Sequence, residues 1–160
     1  YTNNDVIGVE LGGAVKNIIA LGCGIACGLG YGDNARAALI TRGAAEISRL
    51  APVCGGSAGT IAGLAGIGDL IVTCTSVHSR NFRAGVLMGQ GKTSEQAVAE
   101  VGMVVEGLNA LPGVKALAAK YHVEMPIVNM VDAIVSGHVP VRDAVDKLMG
   151  RRKTTEFSHS

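Results

Sequence analysis

Between residues 11 and 32 the chain carries no proline and a single charged side chain, Lys16, among small and apolar residues. Such a stretch reads as a buried helix, and an ammonium is costly inside one. Burying an amine without a partner favours its neutral form, so a lone lysine there either snorkels to the surface or meets a partner. Gly12 and Gly13 stand beside it and would let another backbone or a ligand come close. Each costs about 1 kcal/mol in helix propensity relative to alanine. Two readings stay open from this pattern: a glycine-rich buried helix with a snorkelling lysine, and a site lysine.

One hundred and sixty residues suffice for one domain with a sizeable core. With 48% apolar and 17% charged residues, no Trp, two Phe and three Tyr, that core must come from small aliphatic side chains in close helix contacts. The scarcity of charge implies a large partner face. A net charge of +1, without a basic stripe interleaved with aromatics, gives no general attraction to nucleic acid or anionic lipid. Cys23, Cys27, Cys54 and Cys74 form no CxxC pair and have no histidine at metal-ligand spacing. Cys23 and Cys27 fall one helical turn apart, a spacing open to a metal, but buried free thiols in a reduced, cytosolic protein are the expectation, with no metal site.

The longest uncharged run, residues 17–32, is dense in glycine and shorter than the roughly 18 to 20 apolar residues of a membrane span, so no span is expected. No signal-peptide pattern opens the chain. It begins at Tyr1, and residues 1–9 read as the closing strand and exit turn of a preceding domain. The expected organisation is therefore a remnant of a nucleotide-binding domain over residues 1–8, a helical domain over 9–150 and a frayed tail over 151–160.

Nearly every further segment reads as helix. Asp33 is an N-cap candidate for a helix over residues 34–50, with Ala38, Leu39, Ala45 and Leu50 inward and Pro52 ending it. A glycine-rich loop precedes a short helix near residues 60–64. Asp69 and Thr73 lie four apart and would share a helical face. Ser79 caps a helix over residues 80–88, and Thr93 with Gln96 forms a capping box before residues 94–100. A helix over residues 106–121 is broken or kinked at Pro112-Gly113. Pro126 suits a first turn, and Pro140 opens a last amphipathic helix to Met149, with Val141, Ala144, Val145 and Leu148 inward. No glycine fingerprint of a dinucleotide cradle follows a strand.

Three stretches then stand together in order: Val9-Glu10-Leu11-Gly12-Gly13-Ala14-Val15-Lys16-Asn17; Gly32-Asp33-Asn34-Ala35-Arg36 through Arg42-Gly43; and Gly63-Leu64-Ala65-Gly66-Ile67-Gly68-Asp69-Leu70 through Ser79-Arg80-Asn81. With Val104-Val105-Glu106-Gly107 and Val123-Glu124-Met125-Pro126-Ile127 behind them, they resemble the C-terminal domain of bacterial NAD(P)-dependent glycerol-3-phosphate dehydrogenase, over nearly the whole chain. The resemblance implies an all-α, multi-helix substrate domain of the 6-phosphogluconate dehydrogenase C-terminal-like type. Its Rossmann domain is missing here, and the active site would lie between the two. It implies reduction of dihydroxyacetone phosphate to sn-glycerol 3-phosphate with NADH or NADPH, for glycerophospholipid synthesis. It makes Lys16 the catalytic lysine and Lys16, Asp69, Ser79, Arg80 and Asn81 the substrate contacts. It gives Arg80, Val104 and Glu106 to the cofactor, with Asn17 and Thr73 as lesser members of the site.

The residue types suit that chemistry. An ammonium beside a ketone oxygen can stabilise the alkoxide formed by hydride addition and deliver its proton, and Asp69 is the expected partner that fixes it. Ser79-Arg80-Asn81 would set a hydroxyl, a guanidinium and an amide at a helix N-terminus, which already favours an anion. Taken singly, Ser79 is equally a plain cap, Arg80 a solvated charge and Glu106 a helix-start acid. His78, His122, His138 and His159 form no cluster and read as structural or surface residues. The loop over residues 52–62, rich in Gly and Ser, and Pro112-Gly113 depart from the family pattern. Two other readings are a non-catalytic helical dimerisation module and a related two-domain hydroxy-acid dehydrogenase, against which the phosphate anchor of residues 79–81 discriminates.

Overall fold

The computed structural model describes residues 4–150, with the backbone alone at residues 64 and 65. The first three residues of the expected remnant and the tail over residues 151–160, with His159, lie outside them. Helix α1 (Val6–Gly28) opens at Asp5, whose carboxylate accepts from the Gly8 N–H at 2.8 Å. A second oxygen of the same carboxylate accepts from the Ser57 N–H at 2.7 Å, which pins the following loop to this end. Residues 6–9 are thus the first turn of a helix and not the strand expected, because Asp5 satisfies the free N–H groups that start it.

α1 is the axis of the fold. It is buried from Ile18 through Ala26 and packs against α2 (Asp33–Val53), α4 (Asp69–Thr75), α5 (Arg80–Gly89), α7 (Glu106–Lys120) and α8 (Pro126–Val135). Shorter helices α3 (Ala58–Ala62), α6 (Ser94–Val101) and α9 (Val141–Met149) complete an all-helical domain, and among the described residues there is no strand. By length and composition α1 could cross a membrane, but more than half of its most apolar window is buried against the surrounding helices.

Gly24 and Gly28 bring α1 and α5 together. A methyl group built on Gly24 would stand 3.0 Å from the Gly85 Cα, and one on Gly28 3.0 Å from the Gly89 Cα, so the two backbones touch. Gly12 and Gly13 do not serve this purpose: the former would meet only Ile61 at 3.7 Å, and the latter nothing within 4 Å. The pairing of 24 with 85 and 28 with 89 sets both helices running in one direction. That register brings the N-terminus of α5 within about a turn of Asn17, to which Asn81 bonds.

Several local expectations change. Gly32, extended at ψ −170°, is the N-cap of α2, and Asp33 is its first residue, accepting from Arg36 at 2.5 Å. The buried face of α2 uses Glu46 where Ala45 was expected: Ala45 is exposed, while the Glu46 carboxylate receives the Ile127 N–H at 2.6 Å and the Val128 N–H at 3.4 Å. An acid thereby caps the start of α8, where free N–H groups would otherwise be buried. Pro52 lies within the last turn of α2, which closes one residue later. The helix expected at residues 60–64 ends at Ala62, and a π-helical turn (Leu64–Gly68) leads into α4.

α7 runs unbroken through Pro112. Gly107, Leu111 and Val114 form its buried face, whereas Pro112 and Gly113 are exposed, so the proline lies on the side of the helix away from the core. Ser79, the Thr93–Gln96 capping box, Pro126 at the start of α8 and the inward Ala144, Val145 and Leu148 of α9 stand as expected.

Candidate active site

Lys16 leaves α1 two turns after its first buried glycine and reaches α4, where its Nζ donates to Asp69 Oδ2. Asp69 is the first residue of α4, directly after the π-helical turn. Thr73, one turn on, donates to the Asp69 carbonyl at 2.6 Å and to Oδ1 at 3.3 Å, fixing the carboxylate that holds the ammonium. The lysine side chain is 20% exposed and the aspartate 44%, so the pair is neither sealed from water nor fully solvated. Lys16 thus meets a partner in the structure.

The second half of the site is the start of α5. Ser79 caps it, accepting from the Phe82 N–H at 3.3 Å. Arg80 follows, with its guanidinium bonded to Glu106 at the start of α7. Asn81 is almost fully buried at 4% exposure and ties three helices: its amide donates to Asn17 Oδ1 at 3.1 Å, and its Oδ1 accepts from the Gly107 N–H at 2.8 Å. Only glycine fits at 107, where a methyl group would stand 2.7 Å from the Asn17 carbonyl oxygen.

These residues enclose an open cleft of about 500 Å³. Lys16 and Asn17 line it from α1, Thr73 from α4, Ser79, Arg80 and Asn81 from α5, and Glu106 from α7. Asp69 bonds Lys16 but is not part of the cleft lining. Val104, on the turn before α7, is 58% exposed and lies apart from the cleft lining. Val72, Ser76 and His78 also line the cleft, which the sequence reading missed. For His78 the available signal was its place immediately before a helix cap. A second groove of about 480 Å³, mostly apolar and formed by α6, α7 and α8, contains none of these residues.

Next to the site, Cys74 of α4 lies against Cys23 of α1. A hydrogen bond with Cys23, reinforced by burial, pushes the Cys74 thiol far above its usual range. All four cysteines are free. Among the described residues no group of three His, Cys, Asp or Glu could hold a metal.

An ammonium and a guanidinium in one cleft, with hydroxyl and amide donors at a helix N-terminus, can protonate an oxyanion at one end and hold an anion at the other. Residues 5–146 match the family described as NAD-dependent glycerol-3-phosphate dehydrogenase C-terminus. The chain belongs to this family. A glycerol-3-phosphate dehydrogenase [NAD(P)+] of Lactobacillus delbrueckii subsp. bulgaricus is 60% identical over 158 residues, covering 99% of this chain and 47% of that protein. One of Bacillus subtilis is 57% identical over 157 residues, covering 98% and 46%. The crystal structure of glycerol-3-phosphate dehydrogenase from Coxiella burnetii superposes with a TM-score of 0.91 at 48% identity, over 94% of this chain and 46% of that one. The chain spans about half the length of the curated relatives it matches, and its all-helical fold is that of the family.

Proposed function

We propose that this chain is the substrate-binding and catalytic half of an NAD(P)-dependent glycerol-3-phosphate dehydrogenase. It reduces dihydroxyacetone phosphate to sn-glycerol 3-phosphate, the backbone of glycerophospholipids, in a reducing cytoplasm. The observation that carries this reading is the single cleft into which four helices bring Lys16, Thr73, Ser79, Arg80 and Glu106.

Lys16 is the general acid. As hydride reaches the ketone carbon, the C=O electron pair moves onto oxygen, and Lys16 passes a proton to that alkoxide; in the reverse direction the neutral amine takes the proton back. Asp69, held by Thr73, keeps the ammonium aimed into the cleft. Ser79, Arg80 and Asn81 hold the phosphate where the first N–H groups of α5 already favour an anion. Arg80 and Glu106, about 37% and 39% exposed, form a charged edge, and Val104 adds an exposed apolar one. Such an edge fits the nicotinamide end of a dinucleotide and not its phosphates, which need a cradle from a separate Rossmann domain. When bound, the reduced cofactor supplies the hydride.

Arg80→Ala tests the reading. It should weaken binding of sn-glycerol 3-phosphate by about tenfold or more, as expected for loss of a charge-assisted hydrogen bond, and leave glycerol binding unchanged. Equal losses for both ligands would remove the phosphate from this end of the cleft.

A further inference from the structure

Lys16 and Arg80, the Lys and Arg side chains that line the cleft, are both paired. Lys16 is bonded to Asp69 and Arg80 to Glu106, so two cations arrive already matched by two carboxylates. A phosphate monoester brings about −1.5 to −2 at neutral pH. Among the described residues lining the cleft, one further basic side chain lies outside those two pairs: His78, whose ring offers an N–H donor. It is held on the turn before α5 by its own N–H, which donates to Ser76 Oγ at 3.2 Å, while the Ser79 N–H bonds to the Ser76 carbonyl at 3.1 Å. That turn is tied at two points, and it sets the imidazole beside the helix N-terminus at which the Ser79 hydroxyl and Arg80 stand.

We propose that His78 is a further substrate-contact residue, donating a ring N–H to the phosphate beside Ser79 and Arg80, whose guanidinium is already engaged by a carboxylate. This rests on the reading of residues 79–81 as the phosphate end of the cleft. It makes His78 a determinant of selectivity for phosphorylated over unphosphorylated substrates. Lys16 remains the proton donor at the other end.

The test titrates sn-glycerol 3-phosphate and, separately, glycerol into this chain, labelled at histidine and joined to its nucleotide-binding half, following the His78 ring resonances and the dissociation constants of the unaltered protein, His78→Ala, His78→Gln and Arg80→Ala. The proposal expects the His78 resonances to shift saturably with glycerol 3-phosphate and stay fixed with glycerol. It expects His78→Ala to weaken glycerol 3-phosphate roughly three- to tenfold, the range for an exposed bond to a charged group, and His78→Gln, which keeps a donor, to recover part of that loss. An unchanged dissociation constant in His78→Ala, with Arg80→Ala still impaired, overturns the role of His78 and leaves the phosphate site standing. Failure of the unaltered chain to bind glycerol 3-phosphate at all overturns the underlying reading and this one with it.

Discussion

Lys16 of α1 donates to Asp69 of α4 across 53 positions of sequence, and Thr73 of the same short helix holds the acceptor in place. The ammonium is thus oriented by a carboxylate that is itself oriented. In the protein joined to its nucleotide-binding half, Asp69→Asn should lower kcat by about 10- to 100-fold, as for loss of a charged partner of a general acid. Thr73→Val should lower it less, with KM little altered in both. Steady-state kinetics with dihydroxyacetone phosphate separate the two; a change confined to KM in Asp69→Asn would make Asp69 a binding residue only.

The seam between α1 and α5 sets the distance between the two ends of the cleft. A methyl group on Gly85 would stand 2.9 Å from the Gly24 Cα, against backbone that cannot turn aside. Gly85→Ala should therefore destabilise the domain by about 1–3 kcal/mol, the usual range for overpacking. Gly113 of α7, with nothing within 4 Å of an added methyl group, gives the opposite sign. Gly113→Ala should stabilise by about 0.5–1 kcal/mol through helix propensity. Thermal unfolding checks both, at about 2–4 °C per kcal/mol for a domain of this size.

Asp5 gives a pH signature. The Gly8 N–H, then the Thr60 side chain and the Ser57 N–H, hold its carboxyl below the ordinary value. A depressed folded pKa stabilises fully above the unfolded value, near 3.9, and that contribution is lost as pH falls through the folded value. Asp5→Asn should therefore melt below the parent by a constant interval from pH 5 to 7, and the interval should shrink below about pH 4. A gap that widens in acid would contradict this cap.

Thiol labelling reports the core. Cys27 is exposed, Cys54 half-buried with its thiol pushed up by burial, and Cys23 and Cys74 are buried together. A small alkylating reagent should modify Cys27 first, Cys54 slowly, and Cys23 and Cys74 only on unfolding, as peptide mass mapping would show.

The helices and their caps were legible because each start carries its own chemistry: Ser79, Thr93 with Gln96, and Pro126 are local signals. The close-approach glycines were not, since Gly12 and Gly24 look alike until a second helix is placed against them. Glu46 is likewise an ordinary helix acid in sequence, and only the distant start of α8 gives its burial a reason. Pro112 misled because its effect depends on which face of α7 meets water. In the cleft, the motif residues were legible as a set through family resemblance. The pairing of Lys16 with Asp69 was expected from the chemistry and is present, whereas those of Asn81 with Asn17 and Arg80 with Glu106 are tertiary and left no trace in spacing.

The central claim is that Lys16 delivers the proton. Its most direct measurement is the oxidation of NADH and of NADPH by dihydroxyacetone phosphate, catalysed by this chain joined to its nucleotide-binding half, for Lys16 and for Lys16→Ala. The account predicts turnover that falls by about 10²- to 10⁴-fold in the variant, with circular dichroism and glycerol 3-phosphate binding through Arg80 retained. A variant that folds and turns over at an undiminished rate would contradict it.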